Sequence, residues 1–163
     1  MKQIYIFRHA QAEAGTSGDD FGRALTPKGL RQAQQQAKAL AQHARQHGAN
    51  HQLIIASQAL RTQQTAECFR TALGGQLELH HSLYASSVNR WLLEIAGLGH
   101  ELSSLVLVGH NPEISALAQH LSGQHLGFSP ADGVALFWDT DRWDDVQHAR
   151  PQQQQRFVCR DSP

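Results

Sequence analysis

Two histidines leave the ends of apolar runs in this chain, and one of them has an arginine beside it. Ile4-Tyr5-Ile6-Phe7 runs into Arg8-His9, and Leu105-Val106-Leu107-Val108 runs through Gly109 into His110. Between them, Arg61 follows Leu53-Ile54-Ile55-Ala56 and Ser57 near the start of a helix-like segment. These residue types suit phosphoryl transfer. The moving group keeps negative charge on its equatorial oxygens, so catalysis rests mainly on positioning and charge stabilisation. A neutral imidazole can attack phosphorus in line and form a phosphohistidine that water then hydrolyses. His9 would need one ring nitrogen unprotonated and the other held by a hydrogen bond, for which a backbone carbonyl near Ala10 is the candidate acceptor. Arg8 and Arg61 offer planar, permanently charged donors that match phosphate oxygens. His110 adds a third donor if its second nitrogen carries a proton.

The elements that must position these residues alternate along the chain. Residues 3–7 read as a short buried strand, followed by a Gly-, Ser- and Asp-rich loop from Gly15 to Gly22. Thr26-Pro27 marks a helix start, with Thr26 as N-cap, and apolar positions from Leu30 to Ala44 carry that helix to His47, where Gly48 ends it. Leu53–Ala56 reads as a second strand and Ala59–Leu73 as a second helix closed by Gly74-Gly75. Gln76–Leu79 is a candidate third strand. A helix capped by Ser86 or Ser87 runs to about Gly97, and Leu105–Val108 is a further strand. Pro112 opens a helix to Leu121, Val134–Trp138 reads as a strand, and Gln147–Phe157 is a candidate last one, with antiparallel pairing expected for this final pair. The pattern predicts an α/β fold, a single-domain three-layer sandwich with a mainly parallel sheet. Such sheets bind ligands beyond the carboxyl ends of their strands, which is where His9, the Ser57–Arg61 segment and His110 fall. Residues 1–158 are expected to form the domain and 159–163 a tail.

Composition narrows the function. Fourteen acidic and fourteen basic residues balance, so no global field favours nucleic acid or a membrane surface. Any anion site must be a local cluster of arginines. Cys68 and Cys159 match no metal or redox spacing, which favours a reduced, cytoplasmic setting. No apolar run approaches the ~18 residues of a membrane-spanning helix, and four apolar residues before Arg8 are too few for a signal peptide. The run Gln152–Gln155 is low-complexity and carries no function of its own.

Four ordered blocks resemble one known family. Arg8-His9 after a strand is similar to the Arg-His-Gly signature of the histidine phosphatase superfamily, the phosphoglycerate mutase-like enzymes. Leu25-Thr26-Pro27-Lys28-Gly29 with Gln32-Ala33 resembles its Leu-Thr-x-x-Gly-x-x-Gln-Ala helix start. Ser57-Gln58-Ala59-Leu60-Arg61-Thr62 with Thr65-Ala66 resembles its Ser-x-x-x-Arg-x-x-x-Thr-Ala segment, and Val108-Gly109-His110-Asn111 its second histidine block. The resemblance implies a phosphoglycerate mutase-like fold, His9 as nucleophile, and Arg8, Arg61 and His110 as the phosphate pocket. The short length and the Arg-His-Ala variant most resemble the SixA-type phosphohistidine phosphatases. Arg23-Ala24-Leu25-Thr26 also resembles the Arg-x-Leu-Thr run of that subgroup, which makes Arg23 a candidate fourth contact.

Two departures bear on mechanism. Ala10 replaces the usual glycine, which narrows backbone freedom at that turn without forbidding it. Where many relatives keep a general acid, this chain reads His80-His81-Ser82-Leu83-Tyr84-Ala85-Ser86, with no carboxylate until Glu94. An alkyl phosphate leaves as a strongly basic alkoxide, so a missing acid costs it roughly 10²–10⁴-fold. The imidazole of a phosphohistidine leaves far more readily. The gap therefore favours a phosphoramidate, with Glu13, Asp19 and Asp20 as the carboxylates that could still fill it.

The expected activity is a metal-independent phosphohistidine phosphatase acting on a phosphorylated protein, for example a phosphotransfer domain in signal transduction. One alternative keeps the chemistry on small phosphate esters or phosphoanhydrides. Another is a non-catalytic module that captures phosphorylated partners. A mutase would need water shut out, and no long closing segment is visible. Neither a phosphate loop nor a dinucleotide fingerprint is present, so no cofactor is expected. His43 and His47, four apart, read as a solvated helix face rather than a metal site. Trp91, Trp138 and Trp143 read as packing residues.

Overall fold

The computed structural model describes residues 1–15, 18–49 and 52–160. Thr16 and Ser17 of the expected Gly15–Gly22 loop, and residues 161–163 of the expected tail, lie outside them. Six strands form one sheet: β1 (Lys2–Arg8), β2 (Gln52–Ser57), β3 (Gln76–His80), β4 (Ser104–Gly109), β5 (Gly133–Trp138) and β6 (Gln153–Phe157). Their order is β3-β2-β4-β1-β5-β6. The first four in that order run parallel, while β5 is antiparallel to β1 and β6 to β5. The helices are α1 (Pro27–Gln46), α2 (Leu60–Leu73), α3 (Val88–Ala96), α4 (Glu113–Ser122) and the four-residue α5 (Trp143–Val146).

The continuous apolar runs follow from burial on both faces. Along β1, Ile4 and Ile6 join a cluster with Trp91, Ile95, Leu117 and Trp143, while Tyr5 and Phe7 join Ala37, Leu40 and Phe69 on the other side. The same alternation holds in β4, where Leu105 and Leu107 face one cluster and Val106 and Val108 the other. A parallel sheet covered by helices on both sides must read this way. Helices α1 and α2 pack together over one face and α3 and α4 over the other. This is the three-layer sandwich that the alternation of elements predicts. The three tryptophans are core residues, each at most 1% exposed.

Helix α1 begins as expected. Thr26 is its N-cap and accepts from the Gly29 amide at 2.9 Å, and Pro27 occupies the first turn. The helix ends at Gln46, just before Gly48 turns the chain with φ +65°. Of the candidate last segment Gln147–Phe157, only residues from Gln153 onward become strand β6. The glutamine run is thus mostly structural, pairing with β5 through its backbone. His43 and His47 stack with ring centroids 4.0 Å apart, and Tyr5 Oη lies 2.9 Å from His43 Nδ1. Among the described residues no group of three potential ligands could hold a metal ion, and no helix is long and apolar enough to cross a membrane.

Candidate active site

The site lies where three neighbouring parallel strands end. β4 is inserted between β1 and β2, so the chain leaves β1, passes over β4 through α1, and returns to fill the gap only after β3. Ligand crevices in open α/β sheets form at such places. Ser57 ends β2, Gly109 ends β4 and Arg8 ends β1. His9 and His110 therefore emerge side by side, with ring centroids 5.4 Å apart. The His9 amide donates to Gly109 O at 3.1 Å, extending the β1–β4 pairing into the site.

His9 is 7% exposed and held on several sides. Its Nδ1 lies 2.7 Å from Ala10 O. A carbonyl only accepts, so Nδ1 carries the proton and Nε2 keeps its lone pair. The Ala131 amide donates to His9 O at 3.0 Å from a left-handed residue with φ +68°. The Ala10 amide donates to Thr65 Oγ1 at 3.1 Å, which fixes the next peptide. Ala10 itself does not take up positive φ, so the alanine is accommodated where the family signature has glycine. Burial is the main cause that pulls the His9 ring down to a pKa of about 4, and the nearby Arg61 and Arg8 add to it. The ring is neutral at neutral pH.

His110 is oriented from the end of β2. Its Nε2 lies 2.6 Å from Ser57 Oγ, which in turn lies 2.6 Å from Thr62 Oγ1. Thr62 can give its hydrogen to Ala59 O at 2.8 Å, which leaves the Ser57 hydrogen available for His110. The ring is pulled down to about 3, by burial first and then by Arg61. Arg8 donates through Nη1 to Phe128 O at 3.0 Å, and Asn111 Nδ2 donates to the same carbonyl at 2.9 Å. The two strand-end turns thereby share one anchor. Arg61 is 5% exposed at the start of α2.

The Arg61 guanidinium meets a carboxylate that the sequence does not place. Its Nη1 donates to Asp20 O at 2.7 Å and its Nη2 to Asp20 Oδ2 at 3.1 Å. Tyr84 Oη donates to that same oxygen at 2.5 Å, with its ring 5.6 Å from His110. The segment after β3, which lacks a carboxylate, thus supplies a phenol that holds one delivered by the loop. The hydrogen bond from Tyr84, followed by Arg61, holds Asp20 below the usual carboxylate range. Arg23 reaches Asp20 Oδ1 through Nε at 3.1 Å and Glu13 O through Nη1 at 3.2 Å, so its path to the site runs through Asp20. Asp19 accepts from the Gly22 amide and Glu13 is exposed, and neither carboxylate joins the cluster. Sequence reasoning missed Tyr84, and it brought Ser57 and Thr62 to the site only as part of the Arg61 segment, without their role toward His110. The Ser57–Thr62 spacing is visible in the sequence, but its bearing on His110 depends on the β2–β4 neighbourhood.

Buried polar atoms without partners concentrate here. Arg8 Nε, Arg61 Nε and His110 Nδ1 are three of six such side-chain atoms among the described residues. Native interiors pair almost all such groups, so a cluster of unpaired nitrogens marks a place for a ligand. Cations beside potential donors call for an anion.

The chain is 29% identical to the candidate phosphohistidine phosphatase SixA of Agrobacterium tumefaciens, with a TM-score of 0.74 over 84% of this chain and 92% of that one. A second candidate SixA, from Nakamurella multipartitia, is 28% identical with a TM-score of 0.75 over 94% and 95%. The mycobacterial glucosyl-3-phosphoglycerate phosphatase Rv2419c shares the fold at 15% identity, with a TM-score of 0.62 over 99% of both chains. Residues 4–92 match the sequence profile of the histidine phosphatase superfamily, branch 1. The chain belongs to the histidine phosphatase superfamily.

Proposed function

We propose that the protein is a phosphohistidine phosphatase that works without a metal through a phosphorylated His9. The observation that carries this reading is the tautomer of His9. Its Nδ1–H is committed to Ala10 O, and burial keeps the ring neutral, so Nε2 is a nucleophile poised on a rigid strand end. In the first step Nε2 bonds to phosphorus as the P–N bond to the substrate imidazole breaks. That imidazole leaves with a proton from solvent. Water then attacks phosphorus, releasing inorganic phosphate and restoring neutral His9. Arg8 and Arg61 stabilise charge on the equatorial oxygens. His110 Nδ1 donates to one of them when Ser57 gives its hydrogen to Nε2.

Asp20 bears on the substrate class. Held ionised by Tyr84 and Arg61, its carboxylate is a poor proton donor in this arrangement. Substrates that need no strong acid are therefore favoured, and phosphohistidine is one of them. The test compares phosphate release from a histidine-phosphorylated phosphotransfer domain and from a simple alkyl phosphate. Faster release from the phosphoprotein is expected. A preference for the alkyl phosphate, abolished by Asp20→Asn, would replace this reading with a small-ester phosphatase using Asp20 as acid.

A further inference from the structure

Helix α1 carries an uneven share of the charge. Its twenty residues include Lys28, Arg31, Lys38 and Arg45, six glutamines and no carboxylate, in a chain whose formal net charge is zero. Asp and Glu are the residues a helix N-terminus favours, because the backbone dipole is positive there. Lys28 in the first turn and Arg31 in the second run against that preference. Lys28, Arg31, Gln35 and Lys38 follow at steps of three and four, so they share one exposed stripe of the helix.

That stripe forms one wall of a groove of about 700 Å³ whose lining is entirely lysine, arginine and glutamine. Arg160 approaches from the C-terminal segment beyond β6 and completes the cationic lining. Among the described residues, Arg31, Lys38 and Arg160 pair with no carboxylate. The groove also adjoins the catalytic end. Gln32, in its lining, accepts through Oε1 from the Gln11 amide at 3.0 Å, and Gln11 follows the Ala10 peptide that holds His9.

We propose that this groove docks an acidic surface of the phosphorylated protein substrate. The inference rests on the phosphohistidine reading and names the surface that would select a protein over a small phosphoramidate. An acidic protein is favoured over nucleic acid for two reasons. The stripe carries glutamines and no aromatic side chain between its cations, so it has no platform for base stacking. The whole chain also lacks the net positive charge that phosphate-backbone binding ordinarily needs. Charge complementarity of this kind steers encounter and fixes orientation, and rim charges act chiefly on the rate of association.

The test uses the intact protein, the double variant Arg31→Glu/Lys38→Glu and a remote control, Arg142→Glu. All the altered side chains are exposed, so folding is not at risk. Steady-state kinetics are measured on two substrates, a net-acidic phosphotransfer domain phosphorylated on histidine and phosphoramidate itself. Binding of the unphosphorylated domain and of duplex DNA is followed by calorimetry. The expected result is a KM for the phosphoprotein raised on the order of 10-fold in the double variant, with kcat and phosphoramidate kinetics unchanged and the control like wild type. Binding of the unphosphorylated domain should weaken in parallel. An unchanged phosphoprotein KM, an equal rise for phosphoramidate, or tighter binding of DNA than of the acidic domain would each overturn the docking surface. Charge-dependent binding without hydrolysis of either substrate would leave the groove intact and sink the phosphohistidine reading instead.

Discussion

Asp20 and Arg61 form a two-point contact at the mouth of the site, with Nη1 on the Asp20 carbonyl at 2.7 Å and Nη2 on its carboxylate at 3.1 Å. The guanidinium that the mechanism assigns to phosphate is therefore shared with a carboxylate. An entering phosphoryl group competes for the same donors, and the loop must yield before Arg61 can grip an anion bidentately. Asp20→Asn keeps the backbone contact and removes the charge. It should tighten binding of inorganic phosphate or vanadate by roughly 10-fold, about 1.4 kcal/mol, measured by calorimetry. Weaker anion binding in this variant would mean that Asp20 organises the site rather than guarding it.

Arg61→Ala removes charge stabilisation as well as the partner of Asp20. By comparison with other lost oxyanion donors, kcat should fall roughly 10²–10³-fold. Because the phosphohistidine reading places nucleophilic attack on His9, turnover should stay above that of His9→Ala in single-turnover kinetics.

Much of this candidate site is legible in the sequence. A strand ending in Arg-His, another ending in Gly-His and an arginine after Ser57 follow from apolar runs that stop at polar residues. The ends meet because β2, β4 and β1 are neighbours, which alternation of strand and helix makes probable in a parallel sheet. The contact among Asp20, Tyr84 and Arg61 was not legible. It joins residues up to 64 positions apart through one loop conformation, and no periodicity encodes that. The start of the last strand was blurred for another reason, since the expected segment Gln147–Phe157 begins six residues before β6. An edge strand can pair through its backbone alone, so side chains poor in β-propensity mark its boundary only weakly.

Ser57 tests how His110 is aimed. Ser57→Ala removes the only hydrogen bond that the His110 ring makes among the described residues, at Nε2. The ring then has no fixed tautomer, and kcat should fall roughly 10-fold or more. KM should change little, and Ser57→Thr, which keeps the hydroxyl, should restore part of the rate. A pH–rate profile measured alongside would separate a lost tautomer from a merely loosened fold.

Both histidine rings are neutral in the folded protein over an unusually wide range. His9 titrates at about 4 and His110 at about 3, against an ordinary value of 6.5. The unfolded chain takes up these protons below 6.5 while the folded one does not. Stability is therefore fully present above 6.5 and is lost progressively as pH falls toward 4 and then 3, at up to about 1.4 kcal/mol per pH unit for each proton. NMR of the His9 and His110 Cε1–H signals should show no titration between pH 8 and 5, using His9→Ala for assignment. A midpoint near 6.5 for either ring would contradict the burial argument.

Gly29 offers a structural check on the turn that carries His9. A Cβ at this position would lie 1.9 Å from Gln11 O, a contact that only a backbone shift can relieve. Gly29→Ala should cost roughly 1–3 kcal/mol in denaturant unfolding, despite the better helix propensity of alanine. Catalytic rate should fall as well, because Gln11 lies two residues beyond His9.

The central claim is that phosphorus bonds transiently to His9. Rapid acid-free quenching of the enzyme with a 32P-labelled histidine-phosphorylated domain, followed by digestion and mass spectrometry, addresses it directly. The account predicts a phosphoryl group on the peptide containing His9, stable to alkali and labile to acid, and absent from His9→Ala. Phosphate released at the full wild-type rate by His9→Ala, with no labelled His9 peptide in the wild type, would contradict it.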